Sequence, residues 1–415
     1  FGESKKCLAT AIEDKVVDLS YLANEGLFDD LDIPRPVFSQ PYLNDFIALG
    51  KKKTNAVREL LRKLLKNPTP DITDAYFYYR QVDLHLPVKV GDYTDFYSSE
   101  QHAFNVGVMF RDPDNALLPN WKHLPVGYHG RASSIFVSGT PFHRPKGQMK
   151  PAGADAPVFS ATRRLDFELE MAAIIGKSNP IGEPIPVDEA EEYVFGFQLF
   201  NDWSARDIQA WEYVPLGPFL AKNFFSSVSP WVIPAEALEP FRVKAGKQEP
   251  EVLPYLRATD PSQFDVNLEV ILTTATGTEK VISRSNFKYL YWTVPQQIAH
   301  HTVTGCNLQV GDLIASGTIS GRKPDSFGSM LELSWGGKKP LMLEDGTERS
   351  FLEDGDTVTI RGWAEKGGVR VDFGEVSNTV LAARIVLPEH EEKGFENLFV
   401  IRRGACLAVP LPPES

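Results

Sequence analysis

Apolar residues recur along this chain in two rhythms. Val57, Leu60, Leu61, Leu64 and Leu65 fall at i, i+3, i+4, i+7 and i+8, which puts them on one side of a helix. The Lys and Arg residues between them form its solvated face. Asn67-Pro68-Thr69-Pro70 ends it, since proline cannot continue a helix. A short helix is expected over 41–50, with Leu43, Phe46 and Ile47 on one side, and Lys15-Val16-Val17-Asp18-Leu19 reads as a strand opening a small β unit. From Asp92 onward glycine and proline punctuate short apolar runs, which predicts a mainly β domain with long loops. Helices are expected at 294–301 and from Ser204 to Gln209, with Asp202 about where an N-cap would stand. Strand alternation returns over 357–385, as in Val358 and Ile360 or Val369, Val371 and Phe373. The change of rhythm, with Pro87 and Gly91 beside it, divides the chain into an N-terminal β domain with helices, 1–88, and a mainly β domain, 89–415.

The strongest local pattern is Leu165-Asp166-Phe167-Glu168-Leu169-Glu170-Met171. In a strand, successive side chains alternate, so Asp166, Glu168 and Glu170 would share one face and the apolar residues the other. Carboxylates that close repel unless water or a cation relieves them. Two readings stay open: a solvent-exposed strand face, or a divalent-cation site. Oxygen ligands alone select a hard ion such as Ca²⁺ or Mg²⁺. Asp95 and Asp202 are candidates to complete the shell. Asp95 belongs to Asp95-Phe-Tyr-Ser-Ser-Glu-Gln-His102, which offers a carboxylate, a phenol, hydroxyls and an imidazole. The Pro/Gly-rich loop 117–131 displays Tyr128, His129 and Arg131. Glu332, in Met330-Leu-Glu-Leu-Ser334, reads as an exposed residue of a strand.

Composition narrows the classes. A net charge of -12 argues against nucleic acid or an anionic membrane as the main partner, since both recruit clustered Lys and Arg. No run of 18 apolar residues exists. Three distant cysteines, Cys7, Cys306 and Cys406, show neither zinc nor redox-pair spacing, which fits a reducing compartment. His85, His123, His129, His143, His300, His301 and His390 lack the partner spacing of ligands. The chain opens on Phe1, so a native N-terminal stretch, with any targeting signal, is expected to lie outside it.

Six motifs in one order carry a resemblance. Asp95-Phe-Tyr-Ser-Ser with His102, Pro125-Val-Gly-Tyr-His-Gly-Arg131, Asp166-Phe-Glu-Leu-Glu170, Asn201-Asp-Trp-Ser-Ala-Arg-Asp-Ile-Gln209, Trp211-Glu-Tyr-Val-Pro-Leu-Gly-Pro218 and Gly317-Thr-Ile-Ser-Gly321 resemble the fumarylacetoacetate hydrolase family, in its long form. One departure is Ser226, where animal members usually carry threonine.

The resemblance implies an SH3-like N-terminal domain, a β-sandwich or β-roll catalytic domain, a homodimer and a cytoplasmic enzyme. It implies cleavage of a carbon–carbon bond in a dianionic diketo acid, giving fumarate and acetoacetate, the last step of tyrosine breakdown. It implies that Asp95, Glu168, Glu170 and Asp202 hold Ca²⁺ or Mg²⁺, and that Asp202, Ser226 and the backbone near Lys222 meet a second, structural cation. His102 would be the general base and Glu332 its orienter, with Arg206, Gln209 and Lys222 meeting developing negative charge. Tyr97, Arg111, Tyr128, Gln209, Tyr213 and Thr318 would bind substrate oxygens. Two rivals remain: turnover of another acylpyruvate or diketo acid by hydrolysis or decarboxylation, and a non-catalytic calcium-stabilised scaffold. The scaffold needs His102 and Glu332 to lie far apart.

Overall fold

The structure is a computed structural model and describes residues 6–66 and 70–384. His390 and Cys406 lie outside the described residues. The architecture is mainly β. Its central feature is an eight-stranded mixed sheet, ordered Gly127–His129, Tyr93–Phe96, Leu313–Ala315, Leu169–Ile175, Val194–Asp202, Ser226–Val228 and Ile135–Val137, with Ile233–Pro234 also pairing Val194–Asp202. A five-stranded sheet runs Glu279–Asn286, Asn267–Thr273, Thr357–Lys366, Val369–Leu381 and Phe142–His143.

Strand alternation assigns the two faces of the large sheet. Leu169, Met171, Ala173 and Ile175, with Phe197 and Leu199, pack in one core with Leu268, Val270, Val358, Ile360 and Phe373 of the second sheet. Ala172, Ile174, Phe200, Leu313 and Ala315 instead share a core with Phe28, Phe38, Phe46, Ile47, Val57 and Leu61 from the N-terminal segment. That segment contains a three-stranded sheet, Ala9–Ile12, Lys15–Asp18 and Tyr76–Tyr78, and the helix Lys51–Lys66 expected from its heptad-like spacing. The short helix near residue 45, the helix Val294–Thr302 and the two long C-terminal strands also stand where their patterns put them.

Three local expectations fail. The acidic segment is not one strand: pairing runs over Leu165–Asp166, breaks at Phe167–Glu168 and resumes over Leu169–Ile175. Here Asn201 Oδ1 accepts the Glu168 amide at 3.0 Å, and Glu168 forms a lone bridge with Ser329. Asp202 does not cap a helix; it ends the strand Val194–Asp202, and the following helix, Arg206–Glu212, has Ala205 as its N-cap. Met330–Leu333 is a helical turn rather than a strand. Its Ser329 side chain accepts the Glu332 amide and starts the turn locally.

Candidate active site

Tyr93, Asp95, Glu170, Ala172, Phe200 and Asp202 follow the parity of the face turned toward the N-terminal segment. Near the ends of three strands that face changes from apolar to acidic. Glu168 joins from the break between the two strand pieces. The four carboxylates of Asp95, Glu168, Glu170 and Asp202 are buried, and one oxygen from each lies within 4.8 Å of the others. The solvated-strand reading is thereby overturned, because every residue from Leu165 to Met171 is buried.

Burying like charges costs several kcal/mol per ion unless they are paired. Lys222 supplies part of the compensation: its Nζ donates to Glu168 Oε2 at 2.5 Å and to Asp202 Oδ2 at 2.7 Å. Burial opposes its charge, but Asp202 and Glu168 outweigh burial and hold the ammonium above its usual range. Ser226 Oγ donates to Asp202 Oδ1 at 3.0 Å, and the Tyr128 hydroxyl lies 2.7 Å from Asp202 Oδ2 and 3.0 Å from Asp95 Oδ2. Glu170 Oε2 accepts the Gly317 amide at 3.0 Å. Burial and the neighbouring carboxylate of Asp202 push Asp95 well above the ordinary carboxyl range; burial and Asp95 do the same to Glu170. Glu168 behaves oppositely. Burial raises it, yet Lys222 and Arg206 together pull it below the ordinary range.

These residues fit a hard divalent cation. Asp95 Oδ1 and Glu170 Oε1 are buried and have no protein hydrogen-bond partner, so two oxygens of the acidic cluster keep lone pairs uncommitted.

Asp166, the third carboxylate of the segment, does not enter the cluster. Its Oδ2 accepts from Arg206 Nε at 2.8 Å and from the Leu331 amide at 3.0 Å, while Oδ1 accepts from the Met330 amide at 2.6 Å. Arg206 begins the helix Arg206–Glu212; its Nη1 meets Glu168 Oε1 at 2.7 Å and Gln209 Oε1, one turn on, at 3.2 Å. Thus Arg206 bridges Asp166 to the acidic cluster.

His102 lies in the helix Glu100–Phe110, capped by Ser99. Its Nδ1 is 2.7 Å from Glu332 Oε2, with both side chains buried. Asn105 Nδ2 donates to Glu332 Oε1 at 2.8 Å, and Ser320 and Ser329 hydroxyls donate to Oε2 at 2.9 and 2.8 Å. Burial raises the Glu332 carboxyl, but His102, Asn105 and Ser329 outweigh it and hold it below the ordinary range. An ionised carboxylate only accepts, so Nδ1 carries the hydrogen of this bond, and in the neutral ring that leaves Nε2 as the nitrogen with the lone pair. This is the arrangement of a general base with an orienting acid. The 2.7 Å contact removes the condition on which the scaffold reading depended.

Tyr97 packs edge-on to His102 with ring centroids 5.2 Å apart. Burial, Glu332 and Glu168 raise its phenol above the usual range, and the charges of Arg206 and Arg111 act in the opposite direction. Arg111 is exposed at the end of the His102 helix, where Nη2 donates to the Ala116 carbonyl at 2.6 Å. Thr318 is buried in the loop that follows Leu313–Ala315, whereas Tyr213 is half exposed at the end of the Arg206 helix. Asp95, Glu168, Glu170, Asp202, Arg206, Gln209, Lys222, Ser226 and Tyr128 thus form one connected group and Tyr97, His102 and Glu332 a second, joined through Asp166 and Ser329, while Tyr213 stands exposed at the end of the Arg206 helix.

Sequence reasoning missed Asn105, Ser320, Ser329 and the real partners of Asp166. Asn105 could have been found, because it stands one helical turn after His102. No local signal marks the others: Arg206 lies 40 residues from Asp166, and the remaining partners hang on a turn that reads as a strand.

Two family models match this chain. Residues 93–381 match the family described as Fumarylacetoacetate (FAA) hydrolase C-terminal, and residues 2–87 match Fumarylacetoacetase N-terminal. The chain is 52% identical to the fumarylacetoacetase of Homo sapiens over 390 residues, covering 92% of this chain and 93% of that protein. It is 49% identical to the Arabidopsis thaliana fumarylacetoacetase over 382 residues, 90% of each. The solved fumarylacetoacetate hydrolase of Exiguobacterium antarcticum matches with a TM-score of 0.52 at 18% identity, covering 91% of this chain and 95% of that one. The maleylpyruvate hydrolase of Sphingobium matches with a TM-score of 0.52 at 17% identity, covering 92% and 98%.

Proposed function

The chain belongs to the fumarylacetoacetate hydrolase family, and from that premise we propose how its own residues carry out the hydrolysis of fumarylacetoacetate to fumarate and acetoacetate. The observation that carries the proposal is the buried His102–Glu332 pair beside the acidic cluster.

His102 Nε2 takes a proton from water as the water oxygen attacks the carbonyl on the fumaryl side. The carbon–carbon bond then breaks, fumarate is released as the acid, and the bonding pair leaves as the enolate of acetoacetate, which a proton converts to the ketone. Glu332 remains ionised and steadies the imidazolium formed in the first step. Arg206, Gln209 and Lys222 meet the developing negative charge in a site already shielded from water. Asp95, Glu168, Glu170 and Asp202 would hold Ca²⁺ or Mg²⁺, which supplies Lewis-acid polarisation of a diketone oxygen when bound. Asp202 and Ser226, with the backbone near Lys222, would serve a second cation. Tyr97, Arg111, Tyr128, Gln209, Tyr213 and Thr318 orient the substrate oxygens. Arg111 suits a carboxylate because its fork can bind two oxygens at once. A dianion approaching a protein of net charge -12 needs such local positive groups.

In this reading residues 1–88 are the SH3-like domain and 89–415 the catalytic domain, and the enzyme is a cytoplasmic homodimer. Among the described residues no helix is long and apolar enough to cross a membrane. An exposed apolar run, Val214, Leu216, Phe219 and Leu220, gives a self-associating surface something to bury. The test is chelator-stripped protein assayed by loss of fumarylacetoacetate absorbance, before and after adding Ca²⁺ or Mg²⁺. Metal-restored loss with fumarate and acetoacetate in equal amounts supports the proposal; turnover of a smaller acylpyruvate alone would replace the substrate.

A further inference from the structure

One carboxylate joins two parts of the site that the chain holds far apart. Asp166 is completely buried at the end of the short strand Leu165–Asp166. On one side it fixes Arg206, whose Nη1 then reaches Glu168. On the other it accepts the amides of Met330 and Leu331, the first two residues of the turn that carries Glu332. Oδ2 serves both sides at once, taking Arg206 Nε at 2.8 Å and the Leu331 amide at 3.0 Å. The two groups in question have different tasks: Arg206 faces negative charge, and Glu332 orients the base.

We propose that Asp166 is a positioning residue that locks Arg206 and the Glu332 turn into one geometry, so that charge stabilisation and base orientation are set together. The proposal rests on the hydrolase reading above. It separates Asp166 from Glu168 and Glu170, with which strand alternation would place it on one face. The physical requirement is two acceptor oxygens. Asparagine, which is the same size, offers one oxygen and an NH₂, so it must turn a donor either toward Arg206 and the Leu331 amide or toward the Met330 amide.

The test combines kinetics with an activity-free readout. In Asp166→Asn, kcat is expected to fall at least about 10-fold with KM and Ca²⁺ affinity within about 3-fold of wild type, as befits a group acting only through others. In an Arg206→Lys background the same substitution should cost less than it does in wild type, because one of the two partners that Asp166 positions is already altered. Amide hydrogen exchange at Met330 and Leu331 should accelerate in Asp166→Asn while exchange in the strand Leu169–Ile175 stays at the wild-type rate. Exchange at Met330 and Leu331 unchanged, kcat within 2-fold of wild type, or losses that multiply fully across the cycle would each overturn the proposal. If Asp166→Asn does not fold, Asp166→Glu carries the same test, since its charge is kept but its reach is one methylene too long. Wild-type protein inactive on fumarylacetoacetate would instead strike the hydrolase reading, and the exchange experiment would still decide the role of Asp166.

Discussion

His102 shows how much one side chain depends on its neighbours. An imidazole alone is a modest base, but Glu332 fixes its hydrogen on Nδ1, and three further donors fix Glu332. Replacing His102 by Ala should lower kcat by about 10²–10⁴, the usual contribution of a positioned base; turnover within a few-fold of wild type would remove it from that role. Glu332 also predicts a pH effect with a defined sign. Its carboxyl is held below the ordinary value of 4.5, so its contribution to stability is complete above about pH 4.5 and is lost as pH falls through the lower folded value. The gap in Tm between wild type and Glu332→Gln should therefore be widest near pH 5–7 and shrink toward pH 3. A gap that widens on acidification would contradict the ionised state assigned to Glu332.

At the scale of elements, the loop after Leu313–Ala315 is held against the strand Tyr93–Phe96 by close backbone approach. Gly317 has φ of 77°, and a Cβ there would lie 2.1 Å from the Phe96 carbonyl oxygen. Its amide also donates to Glu170. Gly317→Ala combines left-handed strain with a backbone clash and should cost about 1–3 kcal/mol, read by urea unfolding, with weaker metal binding as a second consequence. The two short helices of the site teach a related lesson. The Glu100–Phe110 helix carries an N-cap signal in Ser99, and His102 and Asn105 fall on one side of it because they are three apart. Met330–Leu333 has only one turn, too short for periodicity to tell it from a strand, and its start is set by Ser329 and Asp166.

For the whole molecule, the buried carboxylates outnumber Lys222 and Arg206, the two cations paired with them, so a bound divalent cation would add stability. Chelation should lower Tm, and Ca²⁺ or Mg²⁺ at about 100 times its Kd should restore about 2.7 kcal/mol. Glu170→Ala, which removes an uncommitted oxygen without touching Lys222, should abolish tight metal binding and that restoration. Unchanged metal content in the purified variant would refute the site. Sedimentation velocity checks the homodimer: a monomer at micromolar concentration would leave the exposed 214–220 run without the proposed partner.

The sequence by itself determined the features that repeat locally or are written as motifs: the amphipathic helix through Val57–Leu65, the alternating strands after residue 357, the six family motifs and the acidic residues of the candidate cation site. Those signals are legible because helix and strand periods are properties of neighbouring residues. Only tertiary structure decided which acidic residues work together. Asp166 and Glu168 are two residues apart and share Arg206, yet a break in the strand sends the first to the Glu332 turn and the second to Lys222. Asp95 and Asp202 reach Glu170 because parallel and antiparallel pairings bring three strand ends to one face. Glu332 meets His102 across 230 residues of chain. Such partners follow from register and burial: a buried charge persists only where the fold supplies its counterpart, and no local pattern records where that counterpart comes from.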